Sequence, residues 1–386
     1  MIDFKLEEED EKLLSDIRTE AEAGLKYSRY YDDNEEEVSP PRLPEADQFE
    51  DQIRRTATLG GQSGVRSMLA GIERRRVDGV SLIQGRIGLG NYALFASGTP
   101  DQVKKWGRTM LAMAMTEPGC GSDTKEIRTT ARLDGDEWVL NGEKIFVTGG
   151  VRSEGVVVWA TIDRAAGRGG IKSFLIMKGT PGFEVSKKEK KLGIRGSDTV
   201  ALVMNDCRIP RNQLLGLNED IPKKGAGGFK GAMKTFNMTR PATAAGGVGH
   251  ALGCYDFVAK EMEKEGVTVD YSAGVHQRSA VQDRMIRIEA DIEAATLSIL
   301  RAAWLSDQKQ PNNTESSISK AKGGEISRTA PQQCMDLLGG LSTSREFLVE
   351  KWLRDARITD IYEGTGEIQR LIIARAILEY GSADLM

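Results

Sequence analysis

The fold and its chemistry turn on the stretch Ile361-Tyr362-Glu363-Gly364-Thr365-Gly366-Glu367-Ile368-Gln369-Arg370. Its glycines predict a bend, and a helix is predicted to start directly after it. Thr365 suits the N-cap of that helix, and Glu367 adds an acid to its first turn. A carboxylate on such a bend, Glu363, can point into a pocket. A solvated loop acid is the commoner reading of a single motif, so the choice depends on the rest of the chain.

A second motif, Ala114-Met115-Thr116-Glu117-Pro118-Gly119-Cys120-Gly121-Ser122-Asp123-Thr124, follows a short apolar run. Its glycines let backbone N–H groups approach a ligand closely, as they do in anion-binding loops. About 20 residues later comes Trp138 to Gly150, which is predicted to be a hairpin around Asn141-Gly142. The hairpin is predicted to end in an aromatic, a β-branched residue and a hydroxyl, at residues 146–148.

Together these motifs resemble the acyl-CoA dehydrogenase family. The segments that carry the resemblance occur in the family's order at residues 115–122, 146–148, 191–199, 239–241, 354–357 and 361–370. The resemblance implies an FAD-dependent enzyme that oxidises an acyl-CoA thioester to the trans-2-enoyl-CoA. It also implies electron-transferring flavoprotein as the electron acceptor.

The resemblance implies an α+β fold with an N-terminal helical domain, a middle β-barrel-like domain and a C-terminal four-helix bundle. We place these domains at residues 1–113, 114–222 and 223–386, and the first is shorter and less apolar than is usual in the family. The strand pattern falls at 156–159, 174–177 and 200–204, with a turn at Asp134-Gly135, and long helical periods fall at 280–304 and 319–338. The helix after the bend is predicted to turn Ile368, Leu371, Ile372 and Ala376 inward.

Composition excludes several other classes of protein. The 386 residues are 39% hydrophobic and carry a formal net charge of −4, which argues against a nucleic-acid binder. The longest apolar runs are too short for a membrane span. The four cysteines lack metal-site or disulfide spacing, and there are two histidines, so we expect no metal and a cytoplasmic location. Gly88 to Ala93 fits GxGxxA, but without a surrounding βαβ pattern we interpret it as a false match.

The residues at the motif positions receive their roles from the resemblance. It implies flavin binding by Met115, Thr116, Gly121, Ser122, Phe146, Thr148, Thr365, Glu367, Gly339 and Gly340. It implies substrate binding by Ser122, Arg240, Tyr362 and Gly364. Phe146 stands where most relatives have Trp, which keeps ring stacking but loses an indole N–H.

Glu363 is predicted to be the base that removes the α-proton. Burial beside an apolar acyl chain is expected to raise its pKa toward neutrality. Some relatives carry the base at the position of Thr239, which cannot serve here. Arg240 is a planar cation suited to the nucleotide end of CoA, and an inter-helix salt bridge is its alternative role.

The chain departs from the family where a neighbouring subunit holds the AMP half of FAD. Thr268 replaces an arginine and Asp336 replaces a glutamine. In one explanation Arg278 or Lys320 compensates in a homotetramer. In the other, a homologous partner supplies the missing groups in an α2β2 assembly. A non-catalytic subunit and an acyl-CoA oxidase remain further alternatives.

Overall fold

The computed structural model describes residues 6–36, 63–78, 88–221 and 229–380. The sequence also predicts helix breaks at Pro40-Pro41 and Gly60-Gly61 and a linker at Lys223 to Gly228; these segments lie outside the described residues. Within these ranges, helices come first, then strands, then helices again. The predicted α+β architecture is therefore confirmed.

The first helical region contains short helices. They are α1 (Glu8–Ala23), α2 (Leu25–Asp33), α3 (Gly64–Val77), α4 (Leu89–Ser97) and α5 (Pro100–Trp106). Ser63 caps α3 by accepting a hydrogen bond from the backbone of Arg66. Met68 and Ile72 of α3, which are spaced for one helix face, pack into the core of the C-terminal helices, so this helix is fixed to the rest of the protein.

The glycines of the GxGxxA match have a packing role. Gly88 caps α4 and Gly90 lies in its first turn. A Cβ atom added at either glycine would overlap a backbone carbonyl oxygen, that of Leu111 or that of Ala112. These glycines therefore allow α4 to lie directly on the first strand, and their presence needs no nucleotide.

The middle region is a mixed sheet. Its strands are β1 (Leu111–Ala114), β2 (Thr130–Asp134), β3 (Glu137–Thr148), β4 (Gly155–Thr161), β5 (Ile171–Met177), β6 (Phe183–Lys188) and β7 (Thr199–Pro210). The order is β1-β4-β2-β3-β7-β6, and β5 pairs with β4. The predicted strands within β4, β5 and β7 are confirmed. Strand β4 is buried along its whole length, which its continuous apolar run explains.

The predicted hairpin around Asn141-Gly142 is wrong. The turn lies at Gly135, whose φ of 62° allows the tight link between β2 and β3, and β3 then runs straight through Asn141. Asn141 pairs with Thr130, while its side chain bonds to the backbone N–H of Asp206 at 2.8 Å. Pairing with β7 on one side and β2 on the other outweighs the local turn signal, and only a register irregularity remains near Gly142.

The last region consists of α6 (Phe229–Lys264), α7 (Ala280–Asp307), α8 (Asn313–Leu338), α9 (Val349–Ala356) and α10 (Gly366–Ile377). The predicted helices within α7 and α8 and the N-cap at Thr365 are confirmed. The predicted inner face of α10 is partly wrong, because Leu371 is 59% exposed and Ala376 is also exposed. Gln369 is fully buried instead, since α10 packs through its first turn.

In the described ranges, no helix is long and apolar enough to cross a membrane. The same residues contain no group of three or more His, Cys, Asp or Glu side chains placed to hold a metal ion.

Candidate active site

The loop between β1 and β2 is held by a buried glutamate. The Glu117 carboxylate accepts hydrogen bonds from the Arg128 N–H at 2.7 Å, the Thr129 N–H at 3.0 Å and the Thr129 hydroxyl at 2.6 Å. Lys144 on β3 completes the shell, with its Nζ 2.7 Å from Glu117 Oε1 and 3.0 Å from the Met115 carbonyl oxygen. Both side chains of the pair are buried. The ion pair therefore ties the loop to β3.

The same two segments meet through their backbones. Strand β3 loses its register with β7 between Lys144 and Val147. In that gap the Ile145 N–H donates to the Thr116 carbonyl oxygen at 2.9 Å. Phe146 occupies the bulge with a φ of 58° and is 62% exposed. Bulges reorient side chains, and this one presents an aromatic ring beside the loop.

The flavin-binding residues predicted at this loop and at the end of β3 are exposed or half-buried. Gly121 and Ser122 are exposed, and Thr116 and Thr148 are half-buried. A Cβ atom added at Gly121 would meet only the Thr116 methyl group, at 3.6 Å. An exposed aromatic ring next to an exposed, glycine-containing loop is a surface that a flat ring system fits.

The second half of the site is the bend at Glu363. Glu363 and Gly364 both have positive φ angles, 57° and 91°. The first is uncommon for a residue other than glycine and requires support from its surroundings. That support comes from Gln369, whose side-chain amide donates to the carbonyl oxygens of Glu363 at 3.3 Å and Gly364 at 3.1 Å. Lys320 on α8 also donates to the Gly364 carbonyl oxygen, at 3.1 Å.

The Glu363 side chain points toward α6. Its Oε2 accepts a hydrogen bond from the hydroxyl of Thr239 at 2.7 Å. Burial raises the pKa of Glu363, and the Thr239 hydrogen bond together with the charges of Arg240 and Lys320 offset only part of that rise. Burial also lowers the pKa of Lys320, to about 8. The bend thus presents a carboxylate that binds a proton more readily than a solvated one.

Arg240 is a buried guanidinium at this bend. It is 3% exposed, and its Nη1 lies 3.4 Å from Asn237 Oδ1 and 3.5 Å from Ser317 Oγ. Burial lowers its pKa, and the charge of Glu363 acts in the opposite direction. Among the described residues its Nε has no hydrogen-bond partner. A role at the nucleotide end of CoA stays a prediction.

Helix α6 connects the two halves. Phe236 packs against the same hydrophobic cluster as Met115 and Cys120 of the loop. Its ring also lies 5.7 Å from the Arg240 guanidinium carbon. About one helical turn therefore separates Phe236, which packs against this cluster, from Thr239, the partner of the Glu363 carboxylate.

The remaining predicted residues of the bend occupy the start of α10. Thr365 is half-buried and caps the helix, and Glu367 is exposed in the first turn. Tyr362 is 38% exposed. Free N–H groups at a helix start favour negatively charged groups. The binding roles of Thr365, Glu367 and Tyr362 stay predictions.

Gly339 and Gly340 are not part of this cluster. They are exposed and follow the last residue of α8. Lys320, which contacts the bend, lies near the other end of the same helix, roughly 28 Å away at the rise of an α-helix. Within one chain, these glycines and Glu363 therefore belong to different surfaces.

The residues that replace the family's arginine and glutamine have partners of their own. Asp336 lies 3.5 Å from Nη2 of Arg284 and accepts a hydrogen bond from the Gln332 amide at 3.1 Å. The backbone carbonyl of Thr268 accepts from Gln282 at 2.7 Å. The proposal that Lys320 compensates there is wrong, because Lys320 is fully buried at the Gly364 carbonyl.

Sequence reasoning missed the residues that hold the two halves in place. Lys144, Lys320 and Gln369 are fully buried. The sequence motifs give no role to Lys144 and Gln369, and Lys320 is predicted only as a compensating group for the AMP half of FAD. Gln369 alone had a local signal, since it follows Glu363 by six residues in the quoted stretch. The two lysines contact groups 27 and 44 residues away along the chain, and composition does not distinguish them from surface lysines.

The Glu363 bend has the chemistry for proton abstraction, and the surface at Phe146 has the chemistry to hold a redox ring. A carboxylate with a raised pKa can accept a proton near neutral pH. The open surface at Phe146 offers stacking and backbone hydrogen bonds to a ring system. No described side chain in it can accept a hydride, so an oxidation there needs a bound cofactor.

Comparison with known proteins supplies the family. The model "Acyl-CoA dehydrogenase, middle domain" matches residues 112–207, and "Acyl-CoA dehydrogenase, C-terminal domain" matches residues 226–378. The mitochondrial short-chain specific acyl-CoA dehydrogenase of Mus musculus is 38% identical over 287 residues, which cover 73% of this chain and 67% of the mouse protein. The Mycobacterium tuberculosis protein named "Probable acyl-CoA dehydrogenase FadE25" is 32% identical, and the alignment covers 97% of each chain.

A similar fold is known from experiment. The structure of butyryl-CoA dehydrogenase from Megasphaera elsdenii superimposes with a TM-score of 0.82 at 27% identity. The superposition covers 98% of this chain and 100% of the other. The helical, β, helical arrangement is thus shared over nearly the whole length.

Proposed function

The chain belongs to the acyl-CoA dehydrogenase family of FAD-dependent oxidoreductases, and from this premise we propose that it removes the α-proton of an acyl-CoA with Glu363. The product is the trans-2-enoyl-CoA. The observation that carries the proposal is the position of Glu363, whose carboxylate accepts a hydrogen bond from Thr239 on α6 and has a raised pKa, while Lys320 on α8 holds the next residue of the bend.

The residues present fit FAD. Phe146 offers an exposed ring, and the backbone of residues 116–122 beside it is open where Gly119 and Gly121 lie. We propose that Met115, Thr116, Gly121, Ser122, Phe146 and Thr148 hold the flavin ring. Thr365 and Glu367, at the start of α10, are proposed to lie by the phosphates. When bound, FAD supplies the acceptor for the hydride that leaves the β-carbon.

The reaction balances as one proton and one hydride lost from neighbouring carbons. The Glu363 carboxylate takes the α-proton, the electron pair of that C–H bond forms the new double bond, and the β-hydrogen leaves with its two electrons. Hydrogen bonds to the thioester carbonyl, for which the Glu363 N–H is a candidate donor, stabilise the developing negative charge. Thr239 holds the carboxylate by a hydrogen bond, and Gln369 holds the carbonyl oxygens of the bend.

We propose that Arg240, Ser122, Tyr362 and Gly364 contact the acyl-CoA. Arg240 has a buried Nε with no partner among the described residues, which is a donor that a bound polar group can satisfy. The relatives are named for short-chain and butyryl substrates, so butyryl-CoA is the thioester to test first. Electron-transferring flavoprotein is the proposed acceptor, in fatty acid metabolism and in the cytoplasm.

The test is anaerobic reduction of the bound flavin by a series of acyl-CoA thioesters. The loss of the flavin's visible absorbance measures the rate of reduction. Wild-type protein is expected to be reduced by at least one thioester. Glu363→Gln is expected to slow that reduction by about 10² to 10⁴-fold, the range for general base catalysis, while retaining flavin. Glu379→Gln is the control, because Glu379 also has a φ of 57° but is exposed and remote in sequence from the bend. Reduction of Glu363→Gln at the wild-type rate would remove the proposal.

A second candidate, an α2β2 assembly with a homologous subunit, is favoured by Asp336. Its carboxylate stands where the resemblance implies an amide and is already engaged by Arg284 and Gln332. The chain purified alone distinguishes the two assemblies. One FAD per subunit in a stable homotetramer excludes the heteromer, and substoichiometric FAD that a homologous partner restores supports it. Rapid reoxidation of the reduced flavin by air would instead indicate an oxidase.

A further inference from the structure

Lys320 is a buried cation that proton transfer to Glu363 does not itself require. It lies on α8 with its side chain fully buried, and its ammonium donates to the carbonyl oxygen of Gly364 at 3.1 Å. An unpaired buried ammonium is costly, whereas an apolar side chain of similar length would fill the same space without that cost. The charge at this position therefore needs an explanation.

The charged groups around Lys320 include the proposed base. Burial is the largest influence and lowers the pKa of Lys320, and Arg240 acts in the same direction. Asp360, Glu363 and Glu367 raise that pKa but offset only part of the effect. Seen from the other side, Lys320 and Arg240 are the cations that lower the pKa of Glu363. Arg240 has other oxygen atoms near its guanidinium, on Asn237 and Ser317. The Lys320 ammonium is bonded to the bend itself.

The bend depends on this hydrogen bond. Glu363 and Gly364 both have positive φ angles, so the backbone here leaves its ordinary conformations and must be held by neighbours. The Gly364 carbonyl oxygen accepts from Lys320 and also from Gln369. One donor comes from α8 and the other from α10, so the two helices fix the carbonyl from different sides.

We propose that Lys320 is a positioning residue for the dehydrogenation: it fixes the Glu363 bend through the Gly364 carbonyl, and it places a positive charge beside the Glu363 carboxylate. This proposal rests on the proposed function. Loss of the charge is expected to raise the pKa of Glu363, so that the base is protonated over a wider range of pH. Loss of the hydrogen bond is expected to lower the rate of flavin reduction more than the affinity for the thioester.

The experiment measures the rate of anaerobic flavin reduction by butyryl-CoA, or by the best thioester of the series, as a function of pH. Lys320→Gln removes the charge but keeps a donor, Lys320→Met removes both, and Lys320→Arg keeps the charge. Lys322→Gln is the matched control, since Lys322 lies on the same helix with its Nζ 3.3 Å from the exposed acid Asp291.

The acid limb of the profile is expected to move to higher pH by about one unit in Lys320→Gln and Lys320→Met, the size of shift that a neighbouring opposite charge produces. Lys320→Arg is expected to restore the wild-type limb, and Lys322→Gln to leave it unchanged. A merely structural lysine would change flavin content or thermal stability without moving the limb.

An unchanged acid limb in Lys320→Gln, with flavin bound, overturns the inference. If neither neutral variant retains flavin, Lys320→Arg decides: a wild-type limb supports the inference and a displaced limb overturns it. Failure of the proposed function gives a different result, because wild type and Glu363→Gln would then reduce flavin equally, whatever the Lys320 variants do.

Discussion

Two glutamates, Glu117 in the β region and Glu363 in the helical region, have pKa values that are shifted in opposite directions by their surroundings. Glu117 accepts three hydrogen bonds from the 128–129 segment and a fourth from Lys144. Glu363 accepts one at its carboxylate, from Thr239. Burial acts to raise the pKa of both, yet the partners of Glu117 outweigh it and lower that pKa, whereas Glu363 stays raised.

The difference separates two tasks within one site. Glu117 is held as an anion by Lys144 and its hydrogen bonds, so the ion pair can fix the loop. Glu363 is left with few hydrogen bonds, so it can gain and lose a proton. Burial raises the pKa of both carboxylates, and the Lys144 charge together with the hydrogen bonds at Glu117 distinguishes the structural glutamate from the one that can act as a base.

The largest effect is expected from breaking the buried pair. Lys144→Met leaves the Glu117 charge buried without its cation, which is expected to cost about 3–5 kcal/mol of unfolding free energy and to release flavin. Denaturant unfolding and flavin content measure both. The double variant Lys144→Met with Glu117→Gln is the control and is expected to recover most of the loss. A double variant as unstable as the single one would show that the charge is not the cause.

A smaller loss is expected from Gly364→Ala. The added Cβ would overlap the Gln369 amide, and a φ of 91° is unfavourable for alanine. The expected cost is about 1–3 kcal/mol, together with slower flavin reduction. Gly179→Ala is the control, since Gly179 has a φ of 86° and open space where its Cβ would lie. Equal losses of stability and rate in the two variants would contradict the role of Gln369 in holding the bend.

The same substitution at the two glutamates should have opposite signs at pH 7. The lowered pKa of Glu117 means that its ionised form adds stability above its ordinary pKa, and that this stability is lost as pH falls through the lowered value. The raised pKa of Glu363 means that its contribution is present at low pH and is lost as pH rises through the raised value. Glu117→Gln should therefore lower the thermal midpoint.

Glu363→Gln should raise the thermal midpoint, by a few degrees if the gain is about 0.5–2 kcal/mol. Both variants are measured by thermal unfolding from pH 4 to 8. The gain for Glu363→Gln should vanish toward pH 4, where the wild-type carboxyl is already protonated. A loss of stability in Glu363→Gln at pH 7 would mean that Glu363 is a structural anion like Glu117.

The smallest expected effect is that of Thr239→Val. This change removes the hydrogen bond to the Glu363 carboxylate, so the pKa of Glu363 should rise further, by about one unit or less. The acid limb of flavin reduction should move upward with little change on the plateau. Thr296→Val on α7, whose hydroxyl bonds to a backbone carbonyl of its own helix, serves as the control. An unmoved limb in Thr239→Val would show that this hydrogen bond does not tune the base.

Local signals allowed part of this structure to be predicted from sequence. The N-cap at Thr365 and the turn at Asp134-Gly135 follow from a few neighbouring residues, and both are confirmed. The Asn141-Gly142 hairpin failed because pairing with distant strands overrode an equally local signal. The prediction that Leu371 faces inward is wrong, because helical spacing identifies an apolar stripe but not the part of the helix that packs.

The contacts of Lys144 and Lys320 that hold the site could not be predicted from sequence, for a related reason. Lys144 and Lys320 act on Glu117 and on Gly364 across gaps that only the folded chain closes. A lysine in a polar sequence is ordinarily at the surface. Its burial and its partner depend on tertiary packing, so neither lysine could be assigned before the fold was known.

The central claim is that Glu363 removes the α-proton. It is tested most directly by NMR, under anaerobic conditions, of the exchange of acyl-CoA α-hydrogens with solvent deuterium, because this exchange reports proton transfer apart from hydride transfer. Wild type and Glu379→Gln are expected to exchange the α-hydrogens, and Glu363→Gln is expected to lose the exchange while still binding flavin and thioester. Exchange by Glu363→Gln at the wild-type rate would show that another group removes the proton.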